Sequence, residues 1–274
     1  MTDVWRLLRG HNLLIAAAGV VAGGWIALGV VTLPKLLVYA ALSGLGLGAA
    51  GNVANDLHDA AADRLNRAGG ERPLPAGRVR RETSYLLVWL GMLLGVGAAA
   101  LVSGWQVVIA IAVLVVMLSY SPWLKRYGPA GNLAVATVAG LPPFYGALAV
   151  GRPTAGLVPL ALAAWIHLAR EVVKDLQDEV GDRALGRRTL PIRVGRAAAV
   201  RAARWACVGF VPLSVALPLA AGFGGVYLAV ALPAQVAILL AAERLRHGRF
   251  GAASLLLKAA MVIGLVALVL GGMA

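Results

Sequence analysis

The chain has 274 residues, of which 60% are hydrophobic and 14% charged, with a mean hydropathy of +0.82. A soluble domain is about half apolar and about a quarter charged, so a soluble globular protein is excluded. The formal net charge of +13 does not indicate nucleic acid, because the basic residues are spread between apolar runs, and the single Cys207 excludes an internal disulfide and a thiolate metal site.

Apolar runs of about 16–21 residues are long enough to cross a bilayer core as helices. The first is Leu13–Leu33. Its place near the N-terminus resembles a signal peptide, but its length and the runs behind it predict an uncleaved span. Leu36–Ala54 follows after "TLPK" and leads into "NDLHDAAAD", which carries Asp56, Asp59 and Asp63. Next come Tyr85–Val102, Trp105–Tyr120 and Leu133–Val150. "LPPFYG" interrupts the last of these with Pro142 and Pro143, which predicts either a packed kink or a span lining a cavity. Leu157–Val173 runs into a second acidic stretch, "DLQDEVGD", with Asp175, Asp178 and Asp182. Trp205–Ala221, Val226–Ala242 and Ala252–Gly271 complete nine runs. The runs are apolar all round, without the stripe of a soluble amphipathic helix.

These features predict an all-α polytopic membrane protein. Nine transmembrane helices form one bundle, residues 1–274 make a single domain, and the polar site faces the cytoplasm. The orientation follows from charge: 22 of the 25 Lys and Arg residues fall on one side of a nine-span arrangement. The positive-inside rule makes that side cytoplasmic, with the N-terminus inside and the C-terminus outside.

Both acidic stretches read DxxDxxxD, and an even number of spans separates them, so both lie at the cytoplasmic ends of their helices. At about 100° per residue, positions i, i+3 and i+7 fall within an arc of roughly 60°. Each helix thus presents three carboxylates on one stripe. Asn52 and Asn55 extend the first; His167 and Glu171 extend the second toward the membrane. Carboxylates near a bilayer are costly and repel one another. A solvated acidic helix end is the plain alternative, but the repeated spacing points to a compensating cation. An all-oxygen site suits a hard divalent ion, Mg2+ first, which shares its coordination with phosphates. Asn55, Asp56, Asp59, Asp63, Asp175, Asp178 and Asp182 are the candidate ligands. Arg67, Arg72, Lys125, Arg126, Arg170 and Lys174 are candidate phosphate ligands together with Asn52, although each alone also reads as a topology-determining charge. "ERPLPAG" reads as a rigid turn over the cleft. A polar site with Mg2+ and phosphate beside a greasy bundle implies an amphiphilic substrate, such as a polyprenyl diphosphate.

The residues then resemble a known family, the UbiA superfamily of intramembrane prenyltransferases. The resemblance rests on NxxxDxxxD at Asn55, Asp59 and Asp63, and on DxxxD at Asp178 and Asp182. Within it, the longer stretches "NDLHDAAADRLNRAGGERPLPAGR" and "REVVKDLQDEVGDRALGRRTLP" are most similar to digeranylgeranylglyceryl phosphate synthases. The resemblance implies Mg2+-dependent transfer of a polyprenyl group, geranylgeranyl in this subfamily, from its diphosphate to the hydroxyl of a prenylglyceryl phosphate. Asp59, Asp63, Asp178 and Asp182 are then the catalytic acids. Two alternatives stay open: an aromatic acceptor of homogentisate or quinone-precursor type, and a non-enzymatic cation transporter. No residue is a clear general base; His58 and His167 are candidates by position only, and a structural histidine is the alternative for each.

Overall fold

The computed structural model describes residues 2–66 and 72–273. Arg67, one of the expected phosphate ligands, lies outside the described residues, as does the side chain of Arg126. The elements are α1 (Asp3–Leu8), α2 (Gly10–Leu28), α3 (Lys35–Asn66), α4 (Arg81–Ala100), α5 (Gly104–Tyr120), α6 (Pro129–Gly140), α7 (Pro142–Ala149), α8 (Leu157–Ala184), α9 (Leu190–Val194), α10 (Arg196–Ala220), α11 (Gly225–Arg246) and α12 (Phe250–Gly272). There is no strand among the described residues.

Every apolar run folds as helix. Seven helices are long and apolar enough to cross a membrane, and the bent pair α6–α7 makes an eighth. The remaining run is α5, which at 17 residues is shorter. A count of nine crossings therefore depends on α5, whose length lies at the lower limit for a bilayer core, about 17 residues. Side chains such as Trp89, Leu93, Trp105, Trp205 and Leu255 are among the most exposed in the structure. Large apolar groups left outside in this number belong in lipid. The protein is an integral membrane protein.

Boundaries shift where local chemistry decides them. The first run was expected to reach Leu33, but α2 stops at Leu28 because Gly29 takes a left-handed conformation (φ 70°) and caps the Trp25 carbonyl. This is the usual helix stop at glycine. The acidic stretches, expected at the ends of spans 2 and 6, are fully helical. α3 has 32 residues and is about 48 Å long, well beyond the thickness of a hydrocarbon core. Asp56 lies 21 residues along it, about 32 Å from Lys35. α8 has 28 residues and carries Asp175–Asp182 in its last turns.

Most helices pack on a neighbour in sequence and α12 returns to pack on α2, but α8 also reaches α3, α6, α10 and α12, and α2 packs on α7. One half of the bundle has its own core, built from α8, α10, α11 and α12 around Val173, Leu176, Ile238 and Leu257. A smaller core joins α3, α4 and α5. Close approach in this second half depends on glycine. A Cβ on Gly46 would lie 2.5 Å from the Gly95 nitrogen and 2.7 Å from the Gly91 carbonyl oxygen. Small residues spaced four apart let membrane helices meet at backbone distance. The contact fixes α3 and thereby the first acidic stripe.

The proline interruption does line a cavity. α6 and α7 meet at a bend of 43°. Gly23 of α2 faces this break so closely that a Cβ there would sit 1.8 Å from the Pro143 carbonyl oxygen. Leu141, Pro142 and Pro143 face a cavity of about 310 Å3 inside the bundle.

Candidate active site where two acidic helices meet

α3 and α8 pack against each other, bringing the two acidic stripes to one place. Arg187, three residues beyond α8, joins them. Its Nη2 donates to Asp59 at 2.6 Å and its Nη1 to Asp182 at 2.9 Å. Lys125, in the turn after α5, donates to the same Asp182 oxygen at 3.0 Å. Asp63 on α3 also lies within electrostatic range of Asp178 on α8. The acidic stripes of spans 2 and 6 therefore come together at one place.

The turn over the cleft is built from sequence. Arg72–Arg78 folds back on itself, with the Ala76 N–H donating to the Arg72 carbonyl and the Arg78 N–H to that of Pro73. Gly77 takes φ +72°, which a side chain would resist. Leu74 packs with Leu7, Val53 and Leu57, fastening the turn to α1 and α3. Arg72 is thus held over the first stripe, where Nη1 donates to Asp56 at 3.0 Å and also to Asp63. Arg9 donates to the same Asp56 oxygen at 2.6 Å.

Other partners orient the remaining groups. Ser121 donates to Asn55 at 3.3 Å or to Asp59 at 3.2 Å. Asn132, in the first turn of α6, donates to Asp175 at 2.8 Å. Tyr120 lies 3.5 Å from both Asn132 and Glu171. Asp56, Asp63, Asp175 and Asp182 are all buried. Buried carboxylates of this kind persist only when paired.

Charge accounting shows what the cleft still lacks. The six aspartates of the two stripes face four paired cations, Arg9, Arg72, Lys125 and Arg187, which leaves a formal charge of −2 among the described side chains. One oxygen of Asp182, Oδ2, is buried without a hydrogen-bond partner. None of the ion pairs above engages Asp178. These spare oxygens and the residual negative charge fit a hard divalent cation. Among the described residues, no three acidic, histidine or cysteine side chains already converge at metal-binding distance. The cations stay charged: burial opposes the charge on Lys125, yet Asp59 and Asp182 outweigh it and raise the ammonium pKa above its ordinary value. Arg187 is raised in the same way, burial being outweighed by Asp59 and Asp182.

The expected ligands thus divide. Asn55, Asp56, Asp59, Asp63, Asp175, Asp178, Asp182, Arg72 and Lys125 gather at the cleft. Arg170 and Lys174 instead face the cavity, where Lys174 holds Glu171 at 2.9 Å. Asn52 also lines the cavity and donates to the Leu8 carbonyl at 3.0 Å. His58 is exposed, away from the acids, whereas His167 lines the cavity. Cys207 is buried, as its apolar surroundings in sequence imply.

Sequence reasoning did not assign Arg9, Ser121, Asn132 or Arg187 to the site. Arg9 and Arg187 look like any other topology-determining charge, and only their contacts set them apart. Ser121 and Asn132 are short polar residues in motif-free segments and carry no pattern a sequence reading could use.

The UbiA prenyltransferase family pattern matches residues 16–262. The chain belongs to the UbiA prenyltransferase family. It is 39% identical over 242 residues to the digeranylgeranylglyceryl phosphate synthase of Thermococcus gammatolerans, covering 86% of this chain and 84% of that one. A solved structure described as digeranylgeranylglyceryl phosphate synthase in membranes superposes with a TM-score of 0.75 at 26% identity, over 99% of this chain and 98% of that chain. A UbiA homolog from Archaeoglobus fulgidus, solved bound to GPP and Mg2+, shares the fold at a TM-score of 0.68 and 16% identity, over 97% of this chain and 99% of that chain. The chain is accordingly a membrane prenyltransferase of this family.

Proposed function

We propose that the protein transfers a geranylgeranyl group from its diphosphate to the free hydroxyl of a prenylglyceryl phosphate, forming an ether bond. The observation that carries this reading is the joining of the two acidic stripes by Arg187, beside a hydrocarbon-lined cavity. The relative from Thermococcus gammatolerans is named for this product. The Archaeoglobus fulgidus homolog binds a prenyl diphosphate with Mg2+.

Asn55, Asp59, Asp63, Asp178 and Asp182 would hold Mg2+, which when bound neutralises charge on the diphosphate and makes it a better leaving group. Asp56 and Asp175 act by positioning: Asp56 holds Arg9 and Arg72, and Asp175 holds Asn132. Arg72, Lys125 and Arg187 place fixed positive charge where the diphosphate would lie. Such preorganised charge stabilises the transition state as negative charge builds. The C1–O bond breaks with its electron pair leaving on the diphosphate, and an allylic cation remains. The acceptor hydroxyl oxygen bonds to C1 as its proton passes to the departing diphosphate. Attack on a cation needs little base assistance, which suits a cleft without a positioned histidine.

The prenyl chain would extend into the cavity, past the α6–α7 break toward Phe210 and Leu268. The charge asymmetry of the loops supports an acidic cleft and an N-terminus on the cytoplasmic side. Purified protein with Mg2+ and geranylgeranyl diphosphate, offered geranylgeranylglyceryl phosphate, homogentisate and 4-hydroxybenzoate in parallel, tests the reading. Ether product from the first acceptor alone supports it; product from only an aromatic acceptor overturns it.

A further inference from the structure

The cavity has a second polar region, opposite in sign to the acidic cleft. Arg9, Arg170, Lys174 and Lys258 all line it. Lys258 sits in the middle of the apolar helix α12, where a charge is costly and marks function more often than structure. Its electrostatic neighbours are Arg170, Arg9 and Lys174, all basic. It has no hydrogen bond or ion pair among the described residues. Arg170 is half-buried, and its Nε is buried without a partner.

The arithmetic is simple. Arg9 is matched by Asp56 and Lys174 by Glu171. Arg170 and Lys258 remain, a formal charge of +2 inside a membrane bundle. Two like charges in a low-dielectric cavity repel and gain nothing unless an anion joins them. A phosphate monoester carries about −1.5 to −2 at neutral pH and offers three acceptor oxygens, which matches this excess. The diphosphate has its own cations in the cleft, Arg72, Lys125 and Arg187. Arg9 touches both regions, since it holds Asp56 and lines the cavity. Asn55 does the same from α3.

We propose that Arg170 and Lys258, flanked by Arg9 and Lys174, bind the phosphomonoester of the acceptor and so select a phosphorylated acceptor over a neutral or aromatic one. This rests on the transfer reading given above. The acceptor then enters with its phosphate held in the cavity and its free hydroxyl toward the acidic cleft, where the allylic C1 forms. An acceptor without a phosphate leaves Arg170 and Lys258 uncompensated, a penalty that works against the wrong substrate.

The test compares wild type, Lys258→Met, Lys258→Arg and Arg170→Gln with Mg2+ and geranylgeranyl diphosphate. The acceptors are geranylgeranylglyceryl phosphate and geranylgeranylglycerol, which lacks the phosphate. Lys258→Met and Arg170→Gln should each raise the KM for the phosphorylated acceptor by about tenfold or more, the scale of a lost charge-assisted contact. The KM for the diphosphate donor should stay within about twofold, which also reports an intact fold. Lys258→Arg should recover most of the acceptor affinity. With geranylgeranylglycerol, Lys258→Met should be no worse than wild type and should narrow the preference for the phosphorylated acceptor, because one uncompensated charge is gone. An unchanged acceptor KM in Lys258→Met, with wild type active on the phosphorylated acceptor, overturns the subsite alone and is the result expected if the cations serve a bilayer lipid. A rise in donor KM instead of acceptor KM reassigns them to the diphosphate and also overturns it. Wild type inert on geranylgeranylglyceryl phosphate overturns the transfer reading itself.

Discussion

Arg187 and Asp59, 128 residues apart in sequence, are joined by a 2.6 Å hydrogen bond that ties α3 to the end of α8. The same guanidinium holds Asp182 at 2.9 Å, so one side chain sets the distance between two acidic stripes. Arg187→Leu should leave both carboxylates without this partner. Breaking a buried pair on one side costs about 3–5 kcal/mol. Turnover should fall by at least about tenfold, and Arg187→Lys should recover only part of it, because an ammonium cannot bridge both acids as a fork does. Steady-state kinetics of the two variants checks this; full recovery by lysine would show that charge alone matters.

Lys125 gives a pH prediction. Its folded pKa is raised by Asp59 and Asp182 against the opposing effect of burial. A group raised on folding contributes stability that is fully present below its unfolded value and is lost as pH rises through the folded one. Lys125 should therefore stabilise the protein throughout pH 6–9, below the ordinary lysine value of about 10.4, and its contribution should decline only above that value. Thermal unfolding of wild type and Lys125→Met across pH would show a constant gap up to about pH 10. A gap that closes near neutral pH would contradict the raised pKa.

The helix contact that fixes the first stripe can be tested by a pair of glycines. Gly46→Ala puts a Cβ against the α4 backbone and should destabilise by about 1–3 kcal/mol. Gly97→Ala, on α4 with open space around it, should be neutral or stabilising by up to about 1 kcal/mol. Melting temperatures in one detergent would rank the two; equal shifts would mean that the close approach at Gly46 does not constrain α3.

The two histidines separate in the same manner. His58 is exposed, so His58→Ala should leave turnover within about twofold of wild type. A tenfold loss on that substitution would reinstate it as a base.

Much of this was legible in the sequence because the bilayer imposes simple rules. Apolar length announced the helices, and spacing of i, i+3 and i+7 announced which acids share a face. Pro142 and Pro143 announced a break, and in the fold that break both packs closely on Gly19 and Gly23 and lines the cavity. Contacts between distant segments were less legible. Arg9 and Arg187 satisfy the same topology rule as Arg244 or Arg249, and nothing local shows that the first pair turns inward. Arg170 and Lys174 precede the second acidic stretch closely enough to be grouped with it, yet they line the cavity instead. Lys258 is a lone charge in the apolar run Ala252–Gly271, and only the fold brings it near Arg170 and Lys174 of α8 and Arg9 before α2.

The central claim is that the two acidic stripes form one metal-dependent diphosphate site. Titration of geranylgeranyl diphosphate into wild type, Asp59→Asn, Asp178→Asn and the double variant, each with and without Mg2+, tests it most directly. The account predicts Mg2+-dependent binding in wild type and about tenfold or greater loss in each single variant, with a double variant little worse than the weaker single one, because the two acids act as a unit. Binding that ignores Mg2+, or losses that simply add as for independent sites, would contradict it.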